Sequence, residues 1–109
     1  VPRPRSRRSK YGAIKTKVDG HLFDSRKEAR RYSALKVLLE QGAITDLELQ
    51  VPFSLDVNGD HICNYVADFT YELRDGTPVV EDVKGVLTDV YRLKKKLMLA
   101  IHRIAIHET

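Results

Sequence analysis

A change of hydrophobic period at Gly42 decides most of what this chain can become. Before it, Ala29, Tyr32, Leu35, Leu38 and Leu39 recur at the spacing of one helix face, with Arg26, Lys27, Arg30, Lys36 and Glu40 mostly opposite. After it, single residues alternate. Leu47 and Leu49 are set against Asp46, Glu48 and Gln50, and Tyr65, Ala67, Phe69, Tyr71 and Leu73 against Val66, Asp68, Thr70 and Glu72. A period of two is a strand with one buried face. A chain carrying both patterns has to pack helix against sheet.

The boundaries follow from local chemistry. Ala13–Val18 reads as a short strand turning at Asp19-Gly20. Ser25-Arg-Lys-Glu28 has the form of a capping box, so a helix is expected from Ser25 to Gln41, stopped by Gly42. A strand over Ile44–Gln50 is expected to be interrupted by Pro52. Phe53–Val57 then leads through Asn58-Gly59, a strong hairpin signal, to a return strand starting near His61. A turn at Arg74-Asp75-Gly76 connects to Val79–Lys84. A second helix, Asp89 to about His102, carries Tyr91, Leu93, Leu97, Met98 and Ile101, and Ile104–His107 closes the chain as a strand. The expected class is α/β bordering on α+β, a central mixed sheet flanked by helices in the order helix, strand meander, helix, strand.

The 109 residues suit one domain, expected over 11–109, behind a separate arm over 1–10. That arm holds Arg3, Arg5, Arg7, Arg8 and Lys10 and no acid. It takes five of the 19 basic residues, so the other 14 face 15 acidic ones and the net charge of +4 belongs to the arm. Such an arm follows a nucleic-acid backbone or is simply a solvated tail. One cysteine, Cys63, excludes an internal disulfide and a cysteine-based zinc site, which makes an intracellular, cytoplasmic setting the default expectation. No apolar run reaches the roughly 20 residues of a membrane span.

Chemistry concentrates in Asp82-Val83-Lys84. Residues two apart in a strand share a face and lie roughly 6–7 Å apart. A carboxylate beside an ammonium at the end of a sheet suits phosphodiester hydrolysis: the acid holds Mg²⁺ or Mn²⁺, and Lys84 orients water or offsets developing charge. The triplet alone is common by chance. Asp68 adds to it, because it interrupts the run Tyr65-Val-Ala-Asp-Phe-Thr-Tyr71, although the alternation also allows it a solvent-facing place beside Thr70 and Glu72. A three-residue loop, Arg74-Asp75-Gly76, pairs Leu73 with Thr77 and brings Asp68 opposite Asp82; a two-residue turn would put Asp68 opposite Val83. Gly76 at the loop's end favours the former. Glu28 falls on the apolar stripe of its helix, where it either completes a metal site or serves only the capping box. Gln50, expected to end its strand, is a candidate contact to substrate or is an ordinary edge residue. Arg92, Lys94, Lys95 and Lys96 form a basic patch on the second helix, suited to phosphates or to solvent alone. His21, His61, His102 and His107 have no ligand spacing.

The helical Glu28, the strand Asp68 and Asp82-Val-Lys84, followed by a basic helix, together resemble the PD-(D/E)XK nuclease superfamily. The stretches Phe23-Asp-Ser-Arg-Lys-Glu-Ala-Arg-Arg-Tyr32, Tyr65-Val-Ala-Asp-Phe69 and Val80-Glu-Asp-Val-Lys-Gly85 look most like its small phage-encoded members and like endonuclease subunits of some transposition systems. The resemblance spans roughly Tyr11 to Glu108 and departs from the named pattern at Ala67, where proline would stand. It implies a restriction-endonuclease-like core and divalent-metal hydrolysis of DNA. It also implies frequent homodimers and a phage or mobile-element partner. By position it makes Asp68, Asp82 and Glu28 metal ligands and Lys84 the catalytic lysine. The rival functions are a non-cutting nucleic-acid-binding module on the same fold and an assembly protein whose arm binds acidic partners.

Overall fold

The computed structural model describes residues 15–109; the basic arm over residues 1–10 lies outside them, as does the start of the strand expected over Ala13–Val18. β1 (Thr16–Val18) and β2 (His21–Phe23) form a small antiparallel hairpin around Asp19-Gly20, both with positive φ. α1 (Arg26–Glu40) follows. Its N-cap is Ser25, whose hydroxyl accepts the Glu28 N–H at 3.1 Å, and its C-cap is Gln41.

β3 (Ile44–Val57) and β4 (Asp60–Leu73) form a long hairpin turning at Asn58-Gly59. β5 (Pro78–Asp82) pairs antiparallel with β4, and after α2 (Asp89–His102) the short β6 (His107–Glu108) lies parallel to β5. The sheet order is β3-β4-β5-β6. Among the described residues the fold is therefore α+β: an antiparallel meander with one parallel strand added, and two helices.

Three boundaries differ from expectation. Pro52 does not interrupt β3 but sits within it, opposite Val66. β3 is an edge strand, where a residue without an N–H is tolerated. The irregularities of β3 lie instead in two register shifts, one between Thr45 and Glu48, with Asp46 at φ 55°, and one between Leu55 and Asp56. β5 ends at Asp82, short of Lys84, though the Lys84 N–H still donates to the Thr109 carbonyl at 3.0 Å. β6 is later and shorter than Ile104–His107. Arg103 ends α2 in the left-handed conformation, φ 58°, and the Ile104 N–H closes back on the Met98 carbonyl, so Ile104 belongs to the helix cap.

Two cores result. Phe23, Ala29, Tyr32, Leu35, Ile44, Phe69 and Tyr71 pack around α1, and Leu55, Tyr65, Ala67, Val80, Met98 and Ile106 around α2. Burying one large apolar side chain fully contributes about 1.5–3 kcal/mol, and Phe69, Leu35, Leu55 and Met98 are fully buried. Along β4 the change from one core to the other falls between Ala67 and Phe69, which puts Asp68 at their junction. Leu93, expected with the apolar side of α2, is instead 58% exposed, because it lies five residues from the inward-facing Met98 and points away from it. Among the described residues no helix is long and apolar enough to cross a membrane.

Candidate active site

The β4–β5 loop sets the register on which the site depends. The Leu73 N–H donates to the Thr77 carbonyl and the Gly76 N–H to the Leu73 carbonyl, both at 2.9 Å, with Gly76 at φ 87°. This is the three-residue loop. Phe69 then pairs with Glu81, the last paired position of β4 and β5; Asp68 and Asp82 follow directly beyond it, with their carboxyls close enough to interact.

Each acid is held by its neighbours. Asp68 Oδ2 accepts the Val83 N–H at 2.9 Å. Asp82 Oδ2 accepts the Tyr65 hydroxyl at 2.8 Å and lies 2.8 Å from the Lys84 ammonium. Lys84 is itself seated 3.5 Å above the Tyr91 ring. The Tyr91 hydroxyl donates to Glu108 at 2.6 Å, and Lys95 pairs with the same carboxylate at 3.1 Å. One side chain from β5's exit is thus fixed by the first turn of α2 and by the end of the chain.

α1 brings the third acid. Glu28 is buried, and the Gln50 amide donates to it at 3.3 Å and to Asp68 at 3.4 Å. The capping box is thus half used: Ser25 caps the helix, while the Glu28 carboxylate turns to Gln50. Gln50 does not end a strand, as expected, but lies inside β3 with φ 53°, a strained value for a residue with a side chain. On either side of Glu28, α1 is tied to β5 or to the segment that leaves it. The Lys27 ammonium donates to the Lys84 carbonyl at 2.7 Å. Arg31 donates twice to the fully buried Glu81, at 2.6 and 2.9 Å, and the Tyr71 hydroxyl adds a bond of 2.7 Å.

Electrostatics mark the carboxylates as crowded. Burial, then the facing Asp82, then Glu28 push the Asp68 carboxyl from 3.8 up to about 8, only partly offset by the Val83 N–H. Glu28 is raised to about 7 by burial, Asp24 and Asp82, with Lys84 opposing. Glu81, by contrast, sits below its ordinary range: burial works against its charge, and the bonds from Arg31 and Tyr71 outweigh it.

Glu28, Asp68, Asp82, Lys84, Gly85 and Val86 line one cleft of about 500 Å³. A cleft of about 550 Å³ beside β1 and α1 is lined by Thr16, Val18, Arg26, Ala29, Arg30 and Ser33 and has no acid for such chemistry. Among the described residues, no three of His, Cys, Asp or Glu converge on one point as a ready ion cage. The donors that could hold a cation are the oxygens of Asp68, Asp82 and Glu28 around the cleft.

Glu28, Gln50, Asp68, Asp82 and Lys84 thus come together. The patch on α2 is less uniform than its sequence: Arg92 pairs with Asp89 at 3.3 Å and Lys95 with Glu108, while Lys94 and Lys96 form no ion pair among the described residues. Arg3, Arg5, Arg7, Arg8 and Lys10 lie outside the described residues. Sequence reasoning missed Tyr65, Tyr91, Lys27 and Arg31. Tyr65 and Tyr91 read as core by period, and only their hydroxyl partners separate them from ordinary aromatics.

No curated protein and no solved structure matches the chain. Residues 8–106 match the family described as protein of unknown function (DUF1064), and the chain belongs to that family.

Proposed function

We propose that this protein is a divalent-metal-dependent endonuclease that hydrolyses DNA phosphodiester bonds on a restriction-endonuclease-like core of the PD-(D/E)XK kind. The observation that carries this reading is the convergence of the Asp68 and Asp82 carboxyls just past the last β4–β5 pair, with Lys84 2.8 Å from Asp82, in a cleft that Glu28 also lines.

The donor set fits a hard cation. Asp68, Asp82 and Glu28 offer carboxylate oxygens, the ligand type that suits Mg²⁺ or Mn²⁺. A cation at their centre would favour the ionised forms of Asp68 and Glu28, which burial and the neighbouring acids oppose. When bound it supplies Lewis acidity toward a phosphate oxygen. The chain's own groups do the rest. Asp82 is aimed by Tyr65, Asp68 by the Val83 N–H, and Glu28 is steadied through Gln50. Lys84, held over Tyr91, orients a water or offsets charge developing on the phosphate. Gly85 leaves the cleft wall open, since nothing lies within 4 Å of where its Cβ would be. Lys94 and Lys96, which form no ion pair among the described residues, supply positive charge on α2 for flanking phosphates. Among the described residues no element beyond the acidic cleft and α2 is set apart for reading bases, which favours choice of substrate by DNA structure or by a partner protein over strong sequence specificity.

The test is nicking of supercoiled plasmid DNA. Conversion to open-circular and linear forms with Mg²⁺ or Mn²⁺, abolished by a chelator, is expected. Binding without cutting under both metals would contradict the reading and favour a non-catalytic nucleic-acid-binding module.

A further inference from the structure

Beside the cleft lies an aliphatic surface that neither core uses. Val86, which lines the cleft, is 54% exposed; Leu87 is 43%, Val90 62% and Leu93 58% exposed. Val90 and Leu93 are neighbours at one-turn spacing on α2, and Val86-Leu87 lead into its N-cap, Thr88. The ridge therefore runs from the wall of the cleft along the outer side of α2.

The charge around it limits what can cover it. Between Val86 and Arg103 the chain holds Arg92, Lys94, Lys95, Lys96 and Arg103; Arg92 is paired with Asp89 and Lys95 with Glu108, which leaves Lys94, Lys96 and Arg103 with no ion pair among the described residues. A second copy placed on the ridge would bring two such sets of like charge together. A polyanion would not, and a polyanion with exposed apolar rings satisfies both the charge and the aliphatic side chains. Fully stacked duplex DNA offers phosphates but hides its base faces; unpaired or kinked DNA offers both. Aliphatic side chains inserted at an opened base step are a known means of holding DNA bent.

We infer that the Val86-Leu87-Val90-Leu93 ridge receives unstacked bases of DNA next to the phosphate in the cleft, so that the substrate class is DNA with a local unpaired or distorted step. This rests on the nuclease reading for its position in the reaction. It does not rest on it for binding.

The experiment uses the full chain and a Val90→Ser/Leu93→Ser variant. Both positions are exposed and outside the acidic site, and circular dichroism melting checks that the variant folds as the wild type does. The probe is a duplex with 2-aminopurine beside a short unpaired bulge, compared with its fully paired counterpart, first without divalent metal and then with Mg²⁺. Wild type is expected to raise 2-aminopurine fluorescence on the bulged DNA and to cut it about tenfold faster than paired DNA. The variant is expected to lose the fluorescence rise and most of the preference while binding paired DNA as before. A variant that keeps both overturns the inference. So does one that leaves DNA behaviour unchanged but abolishes a dimer seen by light scattering, which would make the ridge a protein contact. If wild type cuts neither DNA, the nuclease reading falls. The ridge is then still decided by fluorescence: a rise lost in the variant supports it, and no rise in the wild type overturns it.

Discussion

Replacing Asp68 with asparagine should make the metal-free protein more stable and remove its chemistry. Asp68 faces Asp82, with Glu28 close by, and its carboxyl is raised from 3.8 to about 8. A carboxyl raised in this way holds a proton in the folded protein that the unfolded chain releases. Its contribution to stability is therefore fully present below 3.8 and is lost progressively as pH climbs toward about 8. One unit of such a difference corresponds to about 1.4 kcal/mol. Asp82 and Glu28 share the repulsion, and an asparagine must still be desolvated there, so the expected gain for Asp68→Asn is about 2 kcal/mol near pH 8. Asparagine keeps an oxygen for the Val83 N–H and adds an N–H donor toward Asp82. Thermal unfolding in chelator, near pH 4.5 and near pH 8, measures this. The two proteins should nearly coincide at the lower pH, with the variant ahead at the higher by roughly 10 °C in melting temperature. Mg²⁺ should raise the melting temperature of the wild type at pH 8 and leave the variant's unchanged. A variant equal to or below wild type at pH 8 would refute the claim that these carboxylates repel one another across the hairpin.

Three further outcomes follow from named contacts. Arg31→Met strands the fully buried Glu81 without its ion partner, so a loss of about 3–5 kcal/mol is expected in urea unfolding. Ser25→Ala removes the N-cap oxygen of α1 and should cost about 1 kcal/mol in the same assay. Tyr91→Phe keeps the ring under Lys84 and should retain most cleavage. Tyr91→Leu removes the cation–π seat and should lower kcat by about tenfold with little change in KM, and equal rates for the two variants would show that the ring does not position Lys84.

Much of this was legible in the sequence because it depends on local rules. Ser25, Gly42, Asn58-Gly59 and Arg74-Asp75-Gly76 each act within a few residues, so the ends of α1 and the two turns of the β3–β4–β5 meander could be read directly. The loop ending at Gly76 even carried long-range information, since its length decides whether Asp68 meets Asp82. What escaped were contacts between elements distant in sequence. Pro52 looked like a break because its strand's place at the sheet edge is a property of the whole sheet. Gln50 looked like a strand end because nothing local announces its left-handed backbone, which occurs opposite Asp68 where the two cores meet. Arg31 with Glu81 and Lys27 with Lys84 span 50 and 57 residues, and no periodicity links them. Ile104 is expected at the start of the last strand, whereas the left-handed Arg103 draws it into the cap of α2.

The most direct measurement is single-turnover cleavage of labelled DNA (duplex, single strand, flap and four-way junction) by wild type, Asp82→Ala and Lys84→Ala with Mg²⁺ or Mn²⁺. The account predicts metal-dependent cutting by the wild type, reduced by at least about a hundredfold in both variants, with DNA binding retained. Cutting that survives in either variant would place the chemistry elsewhere, and wild type that binds every substrate yet cuts none would contradict the account.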